Sequence, residues 1–105
     1  MSVPNFRSPQ RLAAHANRTG SHFFSPGTMR FFRSILHDAM RSADGTHYVI
    51  VSNQYEDIRG DLEERFYRIV RVTPGEQSTE VEYLDMDASY DTYDEAVAAL
   101  AEVEL

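Results

Sequence analysis

The residues that most resemble a metal site are a run of alternating acids in the last quarter of the chain. Residues 85–91 follow the pattern Asp-x-Asp-x-Ser-x-Asp, which imitates the opening half of an EF-hand calcium loop. An EF-hand also needs glycine at its sixth position and a bidentate glutamate at its twelfth, where this sequence has Tyr90 and Ala96. A strand end followed by helix-capping acids explains the run more simply, so we predict no metal site.

Histidines and nucleophiles give no stronger indication of catalysis. The histidines at positions 15, 22, 37 and 47 show no spacing with carboxylates that would indicate a zinc site. The sequence contains no cysteine, and it lacks a nucleophile elbow, a phosphate-binding loop and a zincin motif. We therefore predict that the protein is not an enzyme and uses no cofactor.

Charge gives a clearer signal, because it is divided unequally along the chain. Residues 1–43 carry six arginines and one acid, for a net charge of +5, whereas residues 44–105 carry a net charge of −12. An ordered row of carboxylates can bind a basic surface on another protein by charge complementarity. The predicted partner-binding acidic surface consists of Glu56, Asp57, Asp61, Glu63, Glu64, Glu80 and Glu82.

The alternative is that basic residues bind nucleic acid directly. All ten Lys or Arg positions are arginine, whose planar guanidinium matches the geometry of phosphate. Arg30, Arg33, His37 and Arg41 would share the polar face of a predicted helix, next to a basic N-terminal arm. The net charge of −7 opposes non-specific affinity for nucleic acid, so nucleic acid is the weaker alternative.

A helix over residues 26–42 is the element that would position this basic face. Ser25 can cap its first turn, and Pro26 suits the first helical position because proline lacks an N–H. Gly45 can end the segment in a left-handed conformation. The apolar residues from position 29 onward recur at helical spacing and would form one face. They are Met29, Phe31, Phe32, Ile35, Leu36, Ala39 and Met40.

The rest of the chain predicts a sheet followed by a second helix. β-branched and aromatic residues are frequent at 46–54, 64–73 and 79–86, which indicates three strands. A Thr-x-x-Glu capping box then begins a helix over residues 92–103.

Together these elements predict an α+β fold in a single small domain over residues 22–105. The predicted order is α-β-β-β-α, with a three-stranded antiparallel meander and both helices packed on one face of the sheet. The hairpin of the last two strands is predicted to place Arg71 opposite Glu80. Residues 1–21 show no sustained periodicity and are rich in polar residues, so we predict a flexible basic N-terminal arm.

The chain resembles a family of short, uncharacterised proteins of bacterial viruses and their actinobacterial hosts. The resemblance covers roughly residues 22–100 and is carried by a His-Phe-Phe…Thr-Met-Arg-Phe-Phe block near the start. Strands like 48–55 and 65–71 follow, and then an alanine-rich helix entered through residues 90–93. In these relatives the helix gives way to a strand just after the second Phe-Phe pair, whereas the periodicity here favours a continuing helix. The resemblance implies a phage or actinobacterial origin and no catalytic residue.

No pattern in the sequence indicates a membrane-bound or secreted protein. No apolar run approaches the roughly 20 residues needed to span a bilayer, and the N-terminal residues lack a signal-peptide pattern. The absence of cysteine agrees with a reducing compartment, so we predict the cytoplasm of a bacterial host cell. The predicted function is that of a small phage-type accessory protein, a non-catalytic binding module. Its acidic half would engage a host or defence protein with a basic surface, and could inhibit that protein.

Overall fold

The fold is a four-stranded antiparallel sheet with helices packed against it. The computed structural model describes residues 6–85 and 88–105. Within them the strand order is β1-β2-β3-β4, so each strand pairs with its neighbour in sequence. The predicted α+β class is confirmed, but the sheet has four strands rather than the predicted three. The elements are α1 (Pro9–Arg18), α2 (Pro26–Phe31), β1 (Ile35–Ala43), β2 (Thr46–Asn53), β3 (Phe66–Pro74), β4 (Thr79–Tyr83) and α3 (Tyr93–Ala101).

The additional strand, β1, comes from the second half of the predicted helix over residues 26–42. Helix α2 begins with the predicted cap, in which the Ser25 hydroxyl accepts the Thr28 N–H, but it ends at Phe31. Two residues later Arg33 adopts a left-handed φ of 49°, which turns the chain out of the helix. The helix prediction is therefore wrong beyond Phe31, and the helix-to-strand change implied by the family resemblance is the one observed.

An Asp-Gly turn explains why this segment pairs as a strand. Asp44 and Gly45 both have positive φ, 52° and 81°, and Ala43 pairs with Thr46 across them. This is the two-residue hairpin turn whose twist matches antiparallel strands, and Asp-Gly is among its preferred sequences. The residues interpreted as the end of a helix are thus the turn of the β1–β2 hairpin.

The sheet is covered on both faces, which explains why the periodicity of β1 was misleading. In β2, Val49 and Val51 belong to the buried cluster of Leu12 from α1, whereas Ile50 belongs to that of Leu100 from α3. Successive residues of a strand point to opposite faces, so α1 and α3 lie on opposite sides of the sheet. The two predicted helices correspond to α2 and α3. Met29 of α2 packs against the Leu12 cluster, whereas α3 supplies the other cluster, so the prediction that both helices pack on one face of the sheet is not confirmed. A strand that is covered on both faces does not need to alternate polar and apolar residues.

Helix α1 lies within the segment predicted to be a flexible arm. The Ser8 hydroxyl accepts the Arg11 N–H at 3.3 Å, and Pro9 occupies the first helical turn. The side chains of Leu12 and Ala16 are fully buried against the sheet. Residues 9–18 are therefore part of the packed domain rather than an arm. The Ser-Pro helix start at positions 8–9 is the same signal that begins α2.

The remaining predicted elements agree more closely with the structure. Helix α3 has the predicted capping box: the Thr92 hydroxyl accepts the Glu95 N–H at 3.1 Å, and the Glu95 carboxylate accepts the Asp91 N–H at 3.2 Å. The β3–β4 hairpin is confirmed, but Arg71 lies opposite Glu82, two residues from the predicted register. A shift of two keeps every side chain on its predicted side of the sheet.

Candidate interaction surface

A tongue formed by residues 54–65 connects β2 to β3. Its two arms pair with each other: an antiparallel bridge joins Glu56 to Leu62, and the Asp57 N–H donates to the Asp61 carbonyl at 2.8 Å. Side chains of a directly opposed pair lie on the same side of a ribbon, so Glu56 and Leu62 share one side of the tongue.

The tip of the tongue is ordered by one of its own carboxylates. The Asp57 Oδ1 atom accepts the N–H groups of Arg59 and Asp61 at 2.8 and 3.0 Å, the bonding typical of an aspartate-nucleated turn. Gly60 supplies the positive φ, 85°, that closes this turn. Ile58 lies at the tip with its side chain fully exposed. The tongue therefore holds an apolar side chain out in solvent on an internally hydrogen-bonded loop.

The structure divides the predicted acidic surface between two places. Glu82 and Glu80 lie on the edge strand β4, and Glu82 forms an ion pair with Arg71. This pair is level with Tyr48 of β2, five residues before Asn53 at the start of the tongue. At about 3.3 Å per residue, that separation is about 17 Å along the strand. The other group is exposed on the tongue and consists of Glu56, Asp57, Asp61, Glu63 and Glu64.

Exposed apolar side chains gather at the same end of the sheet as the tongue. Phe31, at the end of α2, is 78% exposed, and its ring centroid lies 4.9 Å from that of Phe32. The Phe32 ring lies 6.5 Å from Tyr55, and Tyr55 lies 5.2 Å from Phe66. We use "apolar patch" for the exposed members of this region, which are Phe31, Phe32, Ile35, Tyr55, Ile58 and Leu62.

Polar contacts fix the tongue to the segment between α2 and β1. The Gln54 N–H donates to the Phe32 carbonyl at 3.4 Å, and the Arg33 guanidinium forms an ion pair with Glu56. The Arg65 Nη1 atom donates to the Arg33 carbonyl at 2.8 Å. These contacts place the base of the tongue, with Glu56, beside the aromatic members of the apolar patch. The two segments lie far apart in sequence, because β1 and β2 separate them.

The structure distributes the predicted nucleic-acid face over three places. Arg30 lies exposed on α2, and Arg33 follows that helix and pairs with Glu56. His37 and Arg41 lie on β1. The shared helical face that would have aligned these four side chains does not form, because the helix ends at Phe31.

Arg41 has an internal role at the end of α3. Its Nη1 atom donates to the carbonyls of Leu100, Ala101 and Val103 at 2.9, 2.9 and 2.8 Å. The last carbonyls of a helix have no partner within the helix and carry partial negative charge, so a guanidinium there satisfies them and opposes the helix dipole. Arg41 thus joins the edge strand β1 to the helix on its face.

His37 is a half-buried member of a polar cluster that no sequence motif indicates. Its Nε2 atom lies 2.8 Å from the Ser52 hydroxyl, which also accepts the Arg65 guanidinium at 3.0 Å. Its ring packs beside Tyr67 and Tyr93 at centroid distances of 5.3 and 5.0 Å. Burial, followed by the charge of Arg65, lowers the pKa of His37, against the smaller opposing effect of Asp38.

This serine–histidine pair is structural. The Ser52 side chain is fully buried, so its hydroxyl cannot reach a substrate. A second histidine, His47, is also fully buried and accepts the Phe6 N–H at its Nε2 atom, at 3.1 Å. Burial lowers the pKa of His47 as well, with a hydrogen bond to the Gly45 backbone acting in the opposite direction. The lowered pKa values favour the neutral form of both histidines relative to a solvent-exposed imidazole.

The described residues contain no group of three or more histidine, aspartate or glutamate side chains placed to hold a metal ion. The calcium-like run at 85–91 includes Asp87, which lies outside the described residues. None of the described helices is long and apolar enough to cross a membrane.

Comparison with known proteins identifies a family without an assigned activity. Residues 10–101 match the model of the family described as "Family of unknown function (DUF7447)". No curated protein and no solved structure matches the chain. The match starts inside α1 and ends at the last residue of α3, so it includes α1 in the family's common domain. The chain therefore belongs to the DUF7447 family of unknown function.

Proposed function

We propose that the protein is a non-catalytic binding module that docks one partner protein on the apolar patch and the tongue. The observation that carries this proposal is the grouping of exposed apolar side chains. Among the described residues eight large apolar side chains are exposed, and six of these belong to the patch. Contiguous exposed apolar surface is a feature of interaction sites, because leaving it in water has no structural benefit.

The charges around the patch indicate the chemistry of the partner. Residues 54–65 contain five carboxylates and two arginines, for a net charge of −3. Protein interfaces commonly have an aromatic and apolar centre with a charged, solvent-accessible rim. The partner is accordingly a protein with an apolar depression bordered by arginine or lysine. Complementary charge at the rim would steer its association and select against acidic partners.

The biological setting of this proposal comes from the sequence resemblance. A small acidic protein of phage type, acting in the cytoplasm of a bacterial host cell, would bind a host or defence protein with a basic surface. Occupying that surface would inhibit the partner wherever the same surface binds nucleic acid. The tongue carboxylates, rather than Glu80 and Glu82, are the acids placed to take part, since only they adjoin the apolar patch.

Nucleic-acid binding through the arginines around α2, together with the basic N-terminal segment, is the alternative function. Arg30 is exposed and adjoins the patch, which favours it as a phosphate contact. Arg33 is already paired with Glu56, and Arg41 is bonded to the end of α3. A face with one available arginine out of three binds phosphates weakly. The arginines of the N-terminal segment could add contacts, but the net charge of −7 opposes non-specific affinity for nucleic acid, so this alternative has less support than the protein-binding one.

Affinity capture with matched variants tests the proposed function. Tagged wild type and an Ile58→Ser/Leu62→Ser variant are used to capture proteins from nuclease-treated host lysate, and the retained protein is then purified for direct binding measurements. We expect the double variant to lose at least tenfold in affinity. A Val97→Ser variant is the control, since Val97 is exposed on α3 outside the patch.

The Val97→Ser control distinguishes specific binding at the apolar patch from non-specific hydrophobic association. Equal loss of binding in Val97→Ser would contradict the proposal, as would full binding by the Ile58→Ser/Leu62→Ser variant. Retention of nucleic acid instead of protein, with loss on Arg30→Glu, would support the alternative. The substituted side chains are exposed, so circular dichroism is expected to show an unchanged fold for each variant.

A further inference from the structure

A second feature, remote in sequence from the apolar patch, is a cleft of about 370 Å³ beside α1. Among the described residues, it is lined by Phe6, Arg7, Arg11, Ala14 and Arg18, three of which are arginines. A cleft of this volume is in the range of small-ligand sites.

The helical repeat of α1 explains how the arginines come together. Leu12 and Ala16 face the core, and at 100° per residue Arg11 and Arg18 fall on the opposite, exposed side. Ala14 lies between them on that side, and its small side chain leaves space between the two guanidiniums. Because the buried side of α1 is fixed against the sheet, the backbone positions from which the arginines on the outer side project are also fixed.

No carboxylate is among the described residues that line the cleft. Residues 1–37 contain no aspartate or glutamate, and among the described residues Arg7, Arg11 and Arg18 take part in no ion pair. The first acid along the chain, Asp38, accepts a hydrogen bond from the Gln10 amide at 3.0 Å. Three like charges placed together without a partner repel one another, and a bound anion would relieve that repulsion.

The wall of the cleft formed by Phe6 is held in place. The Phe6 ring packs beside His15 and His47, at centroid distances of 5.0 and 5.9 Å. Its backbone N–H is bonded to the His47 ring, which anchors the chain immediately before Arg7. The cleft is therefore preorganised on two sides, by the helix and by this anchored residue.

We propose that this cleft binds the phosphate groups of a ligand with two or more linked phosphates. The arginine guanidinium matches phosphate in charge and geometry, and it can donate to two phosphate oxygens at once. Arg11 and Arg18 are seven residues apart, or about 10 Å along the helix, which favours an extended polyanion over a single carboxylate. Inorganic polyphosphate and a nucleoside triphosphate both present this chemistry.

Calorimetric titration tests the site with inorganic tripolyphosphate and, separately, with ATP. For wild type at low salt we expect saturable binding of tripolyphosphate at one site, weakening as salt is added because the contacts are ionic. An Arg11→Gln/Arg18→Gln variant should bind at least tenfold more weakly. Both side chains are exposed, and the Arg11 backbone bond to Ser8 is unaffected by the substitution.

The control variant is Arg59→Gln, which removes an exposed arginine from the tongue and should leave binding unchanged. If ATP binds as tightly as tripolyphosphate, the site recognises the phosphates alone. If ATP binds more tightly, the adenine base also contacts the site, and Phe6 is the residue placed to stack with it. The absence of saturable binding would overturn the proposal. So would equal loss in Arg59→Gln, or binding of ATP without tripolyphosphate. None of these measurements involves the partner protein, so they test the phosphate site independently of the proposed function.

Discussion

Strand β2 and the segment joining α2 to β1 contain similar residues with opposite surroundings. Tyr48 and Ile50 are buried because β2 has a strand on each side and a helix on each face. Phe31 and Ile35 are exposed at the end of the sheet, where none of the described helices covers them. Burial is thus set by what covers a residue rather than by its type. Apolar residues left uncovered in this way are candidates for binding, whereas those of β2 are explained by stability alone.

The largest effect expected from this comparison is on stability, for a core residue of α1. Leu12→Ala should lower the free energy of unfolding by about 2–5 kcal/mol, because it opens a cavity under a fully buried side chain. Phe31→Ala, in the exposed segment, should change it by less than about 0.5 kcal/mol. Urea denaturation measures both. Equal effects would show that α1 packs no more firmly than the apolar patch.

A smaller effect is expected where a charged side chain stabilises the fold from within. Arg41→Gln removes the guanidinium that bonds three carbonyls at the end of α3 and should cost about 1–3 kcal/mol. Arg30→Gln, on exposed α2, is the matched control and should be neutral. Thermal melts followed by circular dichroism distinguish the two. A neutral Arg41→Gln would return that arginine to the candidates for ligand binding.

The smallest expected effect is a dependence of stability on pH, which arises from His37 and His47 inside the fold. The pKa values of His37 and His47 are lowered in the fold, so the unfolded chain, with histidine pKa values of about 6.5, binds protons first on acidification. The free energy of unfolding should therefore fall as the pH decreases from 7 through 6.5 towards 5. His37→Gln should reduce this slope. A protein that becomes more stable over the same interval would contradict the lowered pKa values of His37 and His47.

Local signals in the sequence were sufficient where the structure they encode is itself local. Ser25 with Pro26, and Thr92 with Glu95, predict the starts of α2 and α3, because a cap needs only residues within one turn. The same rule applied at Ser8 and Pro9 would have identified α1. Asp44 and Gly45 would have predicted the β1–β2 hairpin, had they been interpreted as a two-residue turn.

Tertiary structure decided the features that depend on partners distant in sequence. In β1, Leu36 and Met40 pack against one buried cluster and Ala39 packs against the other, so the apolar spacing of this strand imitates a helix until β2 and the flanking helices are in place. The sequence by itself determined the charge of each segment and the residues able to cap, turn and pair. Antiparallel folding then brought the tongue acids to the end of the sheet where the aromatic residues of α2 lie. Glu80 and Glu82 lie about 17 Å or more from the start of the tongue, measured along the strands, because consecutive turns of a meander are at opposite ends of its strands.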